Sequence, residues 1–277
     1  MSIIDVIKKR RSVRTFKKEE LSNDVIEKIK EYLNDMKCDN PYFNADIRYE
    51  IIESKKGTEI EKLGTYGIFK NAKKFIGVIV DNKNIPLLEV GYYFEKIILY
   101  LTEIGVGNCW VAGTFNREQF NSAFKIKDDE LLLIVCPIGY ESKRKSTREK
   151  MFRSLGGFNK RKKREELFFN ETFDNPLDLD IDKEYNESLE MVRIAPSAIN
   201  KQPWRIVYKD NNYHFFKTKN ENSKHPYDIS IVDLGIAAYH FYITNKEYNL
   251  SGYFKKLDNL EINGKEDLEY MFSWIKE

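Results

Sequence analysis

The sequence predicts an α+β fold assembled from two related units in one chain, and three observations carry that prediction. Two apolar runs, Phe75–Val80 and Leu131–Ile138, have the length and near-continuous hydrophobicity of strands inside a sheet. Two long helical segments are apolar around most of their circumference, as helices buried on several sides are. Both open on an acid-x-Gly pattern, Glu89-Val90-Gly91 and Asp233-Leu234-Gly235, with bulky residues after each glycine spaced to pack on a neighbouring helix. At 277 residues the chain fills one large core or two medium ones, so a duplicated unit fits its length.

The first helix is expected over Ser2–Arg10, ending where the Arg11–Phe16 segment begins. Ser22 is a good N-cap for the second helix, with Leu21 and Ile26 placed for a hydrophobic staple across it. Val25, Ile26, Ile29, Leu33 and Met36 keep a helical period and form one buried stripe, which Asn40 and Pro41 terminate. Strands follow at Arg48–Ile52 and Phe75–Val80. The long helix Leu87–Ile104 opens after Pro86 and is closed by Gly105. A loop of small residues leads to the Leu131–Ile138 strand. In the second half, a helix from Lys183 to Ala195 is stopped by Pro196. Trp204–Lys209 and Tyr213–Thr218 read as a hairpin around Asp210-Asn211-Asn212. Asp228 can cap a helix over Ile229–Ile243, Tyr253–Lys255 adds a short edge strand, and the tail reads as polar with a few aromatic anchors.

Composition narrows the function classes. Asp5 interrupts the first apolar run, so the N-terminal residues lack the core of a signal peptide. No uncharged apolar stretch is long enough to span a bilayer, and no membrane partner is expected. Cys38, Cys109 and Cys136 are scattered, which points to a reducing, cytoplasmic compartment and away from a disulfide scaffold. His214, His225 and His240 lack ligand spacing, so no metal is expected. The net charge of +2 says little, but Lys143–Arg164 holds eleven Lys or Arg residues against Glu149 alone. Such a run can be a solvated linker face, a phosphate grip or a nucleic-acid contact. Only Phe152 and Phe158 interleave it, which argues against nucleic acid as a partner.

Four stretches carry chemistry. In Arg10-Arg11-Ser12-Val13-Arg14, three guanidiniums and a hydroxyl suit a phosphate monoester, because arginine presents a planar fork to phosphate oxygens. On an extended backbone Arg10, Ser12 and Arg14 point to one side. In Pro196–Arg205, two prolines bracket small and amide-bearing residues, of which Ser197 and Asn200 offer donors and acceptors that suit a ribityl chain or a flavin ring edge; a rigid helix-to-strand turn is the plain alternative. In Gly105–Gly113, glycines let backbone approach a flat ligand, or merely turn the chain. In Lys143–Arg153, Lys143, Lys145 and Arg148 could supplement a phosphate site, Arg148 foremost.

Arg10–Phe16, the string Pro196-Ser197-Ala198-Ile199-Asn200-Lys201-Gln202-Pro203-Trp204 and the Gly105–Gly113 loop together resemble the nitroreductase superfamily of FMN enzymes. The order departs from the usual one, in which the Pro-Ser-x-x-Asn string follows the second helix; Asp39–Asn44 stands there instead. This is similar to the subgroup in which two nitroreductase-like units are fused, so that one chain imitates the family's homodimer. The resemblance implies a three-layer α+β fold with central, mostly antiparallel sheets and buried helices. It implies an N-terminal half over residues 1–164, a diverged C-terminal half over 165–277, and one FMN between them, the mirror-related site being degenerate. Arg10, Ser12 and Arg14 would serve the phosphate and ribityl end, and Arg11 and Arg148 are added to them from the basic stretches themselves. Val111, Ala112 and Gly113 would line the ring, and Pro196, Ser197, Ala198 and Asn200 would close it from the second half. The implied partners are NADH or NADPH and a small nitroaromatic or quinone-like electron acceptor, with both a monomer and a homodimer open. No side chain is assigned a catalytic role, since hydride chemistry belongs to the flavin. A flavin-storage protein, or another flavin reaction such as reductive dehalogenation, fits the same signatures.

Overall fold

The computed structural model describes residues 1–36, 39–53, 68–143, 160–219, 226–262 and 267–277. Helix α1 (Ile3–Lys9) starts at Ser2, whose hydroxyl accepts from the Asp5 N–H, and α2 (Asn23–Asn34) starts at Ser22, whose hydroxyl accepts from the Val25 N–H. Ile29 and Leu33 bury the α2 stripe, and Val25, Ile26 and Met36 pack half-buried beside them.

Strands β1 (Arg48–Glu53), β2 (Lys74–Asp81), β3 (Gly107–Asn108) and β4 (Glu130–Gly139) form one sheet in the order β1-β2-β4-β3, antiparallel throughout. Helix α3 (Leu87–Glu103) joins β2 to β3, and α4 (Arg117–Ala123) joins β3 to β4. The second sheet opens with β5 (Phe168–Asn170), parallel to β6 (Trp204–Lys209), after which β7 (Asn212–Thr218), β9 (Leu268–Lys276) and β8 (Gly252–Lys255) continue antiparallel. Helix α5 (Asn186–Ile194) precedes β6 as α2 precedes β1, and α6 (Ser230–Glu247) joins β7 to β8 as α3 joins β2 to β3. Apart from β5, the second sheet therefore repeats the first strand for strand. This is the internally duplicated α+β architecture that the resemblance implies.

The tail corrects the sequence reading: it is β9, an inner strand. A bulge opposite Phe215 and Phe216 turns it over, so Leu268 and Tyr270 pack on one face while Phe272 and Trp274 enter the main core. That break in alternation hides the strand from a period-two pattern. Helix α4 also lay unseen in a presumed loop. Asn116 caps it, and Phe120 and Phe124, one turn apart, bury against Phe75 and Val135 in a smaller core.

The two apolar helices cross at their glycines. A Cβ on Gly91 would stand 2.1 Å from the Val232 carbonyl oxygen, and one on Gly235 2.0 Å from that of Leu88. Backbone meets backbone there, and only glycine permits it. The two acid-x-Gly patterns thus mark the pseudo-two-fold axis. Around it Phe94, Ile97, Ile98 and Leu101 of α3 and Leu234, Ala237 and Phe241 of α6 are fully buried, sharing one core with residues of both sheets.

Candidate functional site

The arginine segment is extended and paired along much of its backbone. Ser12 bridges Asn108 and Thr15 bridges Lys70 in parallel, while Phe16 bridges Glu141 antiparallel. The Val13 N–H donates to the Asn108 carbonyl at 2.8 Å, and the Lys70 N–H to the Arg14 carbonyl at 2.9 Å. Side chains then alternate. Val13 is buried over Gly107, and Arg11 forms an ion pair with Glu141. Arg10, Ser12 and Arg14, all half-buried, belong to the opposite face. The structure thus directs Arg11 away from its two neighbouring arginines and gives it a protein partner.

Arg10 is placed differently. Its guanidinium makes no hydrogen bond or ion pair among the described residues, yet it is half-buried at the end of α1. Burial lowers its pKa from the ordinary value, opposed by the nearby Glu95 and Cys109. Beside it stands Arg161, whose pKa is pushed down to about 10, first by burial and then by the positive charges of Arg10 and Arg193. Arg193 is held by Glu190 at 2.6 Å. Half-buried like charges repel, and an anion with several acceptor oxygens relieves that repulsion.

The second half reaches this cluster through the proline-bracketed turn. Asn200 Oδ1 accepts from Arg161 at 2.5 Å, and Asn200 Nδ2 donates to the Lys160 carbonyl at 2.8 Å. Gln202 Oε1 accepts from the Lys162 N–H at 2.8 Å, and Ser197 Oγ accepts from the Gln202 N–H at 2.9 Å. Three residues of this turn, Ile199, Asn200 and Gln202, sit at φ 45°, 59° and 49°. Left-handed backbone costs about 1–3 kcal/mol at a non-glycine residue and gathers at functional sites. Ile199 is both β-branched and 70% exposed, so neither local preference nor burial explains its conformation. Beneath the turn, the Ala198 N–H donates to Asp233 Oδ1 of α6 at 2.9 Å. Burial pushes the Asp233 carboxyl up to about 8, against the Ala198 bond and Lys201, and its Oδ2 has no hydrogen-bond partner among the described residues.

The remaining predicted segment is the loop after β3. Val111 is buried and bridges Val135, Ala112 is half-buried with its carbonyl accepting from Arg117 at 3.3 Å, and Gly113 is exposed. Just before them, the Trp110 indole N–H donates to Glu95 Oε2 at 2.9 Å.

Arg10, Arg161 and Asn200 are therefore brought together from the two halves, with Ser12 and Arg14 on the Arg10 side and Ser197 and Ala198 on the Asn200 side. Arg148 lies outside the described residues. Sequence reasoning missed Arg161, hidden at the end of the basic run, together with Asp233, Glu95 and His240. The acid of the Asp233-x-Gly pattern was visible, but not its grip on the turn. The donor set fits a phosphate-bearing cofactor: a guanidinium with no hydrogen-bond or ion-pair partner among the described residues, a second whose pKa is lowered first by burial and then by neighbouring arginines, and a serine on the same side.

Duplicated sheets and paired central helices define a pseudo-dimeric α+β protein. The family model described as "Putative TM nitroreductase" matches residues 2–245. Among solved structures, a nitroreductase from Thermotoga maritima aligns over 100% of this chain and 94% of its own, with 22% identity and a TM-score of 0.62. A nitroreductase family protein from Clostridium difficile covers 56% of this chain and 92% of its own (20% identity, TM-score 0.43), and one from Clostridium novyi 52% and 87% (22%, 0.41). No curated protein sequence matches the chain. The chain belongs to the FMN-dependent nitroreductase superfamily, whose members are flavin-linked oxidoreductases.

Proposed function

We propose that the chain binds one FMN between its halves and works as an NAD(P)H oxidoreductase that reduces nitroaromatic or quinone-like acceptors. The observation that carries this reading is the half-buried Arg10, without a hydrogen-bond or ion-pair partner among the described residues and electrostatically coupled to Arg161, which Asn200 of the other half hydrogen-bonds. Arg10 and Arg161 hold the phosphate, with Ser12 and Arg14 toward the ribityl oxygens. The strained turn from Pro196 to Asn200 and the loop from Val111 to Gly113 bound the ring. The flavin, when bound, supplies the hydride chemistry between nicotinamide and acceptor. The protein's part is to orient cofactor and substrates, which needs no side-chain general base.

The same reading divides the chain at residues 164 and 165 and allows a single site. By the pseudo-two-fold, the segment after α2 corresponds to the turn after α5. There Asn40 hydrogen-bonds the hydroxyls of Tyr92 and Tyr93, and buried Phe43 stacks on Tyr92 at 4.2 Å and meets Phe254 edge-on at 5.1 Å. Aromatic side chains occupy the mirror position.

The test is the flavin absorbance of the purified protein, counted per chain, followed by NADH and NADPH oxidation with and without an acceptor. Protein that takes up no FMN on reconstitution removes the proposal. Protein that holds FMN but turns over neither nicotinamide is a flavin-storage protein instead.

A further inference from the structure

Glu95 is a fully buried carboxylate in the middle of α3, an otherwise apolar helix. A buried carboxylate is costly unless its oxygens are partnered. Both are. Oε2 accepts the indole N–H of Trp110 at 2.9 Å, and Oε1 lies 2.9 Å from Nε2 of His240 on α6. His240 is itself fully buried, and its Nδ1 faces the Met191 carbonyl of α5 at 3.0 Å. One carboxylate thus ties the loop that opens at Trp110, in the first half, to two helices of the second half. Helix α6 also carries Asp233, which holds Ala198 in the opposite wall.

We infer that Glu95 and His240 form a brace that sets the spacing of the two walls of the flavin slot, with Glu95 as a positioning residue acting through Trp110. The inference rests on the flavin reading of this site. Helix α6 is the common reference: Asp233 fixes the Pro196–Asn200 wall to it directly, and His240 fixes the Trp110–Gly113 wall through Glu95. The aromatic packing of Trp110, edge-on to Phe94 at 4.7 Å, holds the indole plane, while the bond to Glu95 fixes its position along that plane. A carboxamide can replace the carboxylate without losing a bond. Its oxygen accepts from Trp110, and its amide N–H donates to His240 Nε2 when Nδ1 carries the hydrogen toward Met191.

Apoprotein of four variants is titrated with FMN, following flavin fluorescence and the visible circular dichroism of the bound ring. Glu95→Leu, which keeps volume but removes both acceptors, should weaken FMN binding about tenfold or more and alter the ring's dichroism. Trp110→Phe, which deletes only the donor, should alter the dichroism in the same direction and serves if Glu95→Leu does not fold. Glu95→Gln should restore both signals. Lys276→Met, which breaks the distant pair with Asp182, should lower thermal stability yet leave affinity and dichroism unchanged. Wild-type affinity and dichroism in folded Glu95→Leu and in Trp110→Phe would overturn the brace. A wild-type protein that binds no FMN overturns the flavin reading itself, and the brace with it.

Discussion

Arg10 and Arg11 are chain neighbours with opposite surroundings, because an extended backbone sends them to opposite faces. Arg11 has Glu141, in an ion pair half open to solvent; Arg10 has no hydrogen-bond or ion-pair partner among the described residues, feels the charge of Glu95, and adds its own positive charge to that felt by Arg161. Arg10→Ala should therefore weaken FMN binding by roughly 1.5–3 kcal/mol, the worth of a charge-assisted bond. Arg11→Ala should change it by less than about 1 kcal/mol, as for an exposed pair. Titration of the two apoproteins checks this, and equal losses would mean the face assignment is wrong. Asp233 gives a second test at this scale. Its folded-state pKa, about 8, lies above the ordinary 3.8, so the fold favours the neutral carboxyl. Its contribution to stability is complete below about pH 4 and is lost as pH rises toward 8. The slope from this one group is at most about 1.4 kcal/mol per pH unit. Asp233→Asn keeps an acceptor for Ala198 and cannot ionise, so thermal melts across that range should flatten. An unchanged slope would show that Asp233 ionises freely in the fold.

At the scale of elements, the molecule turns on the crossing of α3 and α6. Gly91→Ala or Gly235→Ala places a methyl against a backbone carbonyl, which has no rotamer to move aside. Separating the helices to admit it also opens the core around them. Each substitution should cost about 3 kcal/mol or more, at or beyond the upper end of overpacking effects, read as a drop in denaturant midpoint. Full stability in either would mean the helices cross elsewhere. What the sequence made legible follows from range. The cap at Ser22, the α2 stripe and the apolar helices are local patterns, and they were readable. The alternation of Arg10, Ser12 and Arg14 was readable for the same reason. Strand β9 was not, because its bulge breaks the period, and β5 was too short to show one. Glu95 and His240 meet across 145 positions, and Asn200 meets Arg161 across 39. A pairing of that range leaves no mark in either segment, so Arg161 could not be told from the ten other basic residues of its run.

For the whole molecule, duplication changes what association must supply. In a homodimer whose site spans the interface, the two walls find each other only at concentrations where subunits pair. Here the turn at Asn200 and the segment at Arg10 belong to one chain, and α3 and α6 pack them around a common core. Tethering makes the second wall intramolecular, at an effective concentration of order millimolar for short flexible linkers and higher when the parts are docked. FMN affinity should then be independent of protein concentration. Sedimentation of the FMN-loaded protein over a wide dilution series, monitored at a flavin absorbance wavelength, tests this directly. Colour should travel with the monomer at one FMN per chain, including at dilutions where any dimer has dissociated. Loss of colour in step with dimer dissociation would place part of the site on a second copy. The fused halves would then be insufficient on their own, even with both walls present in one chain.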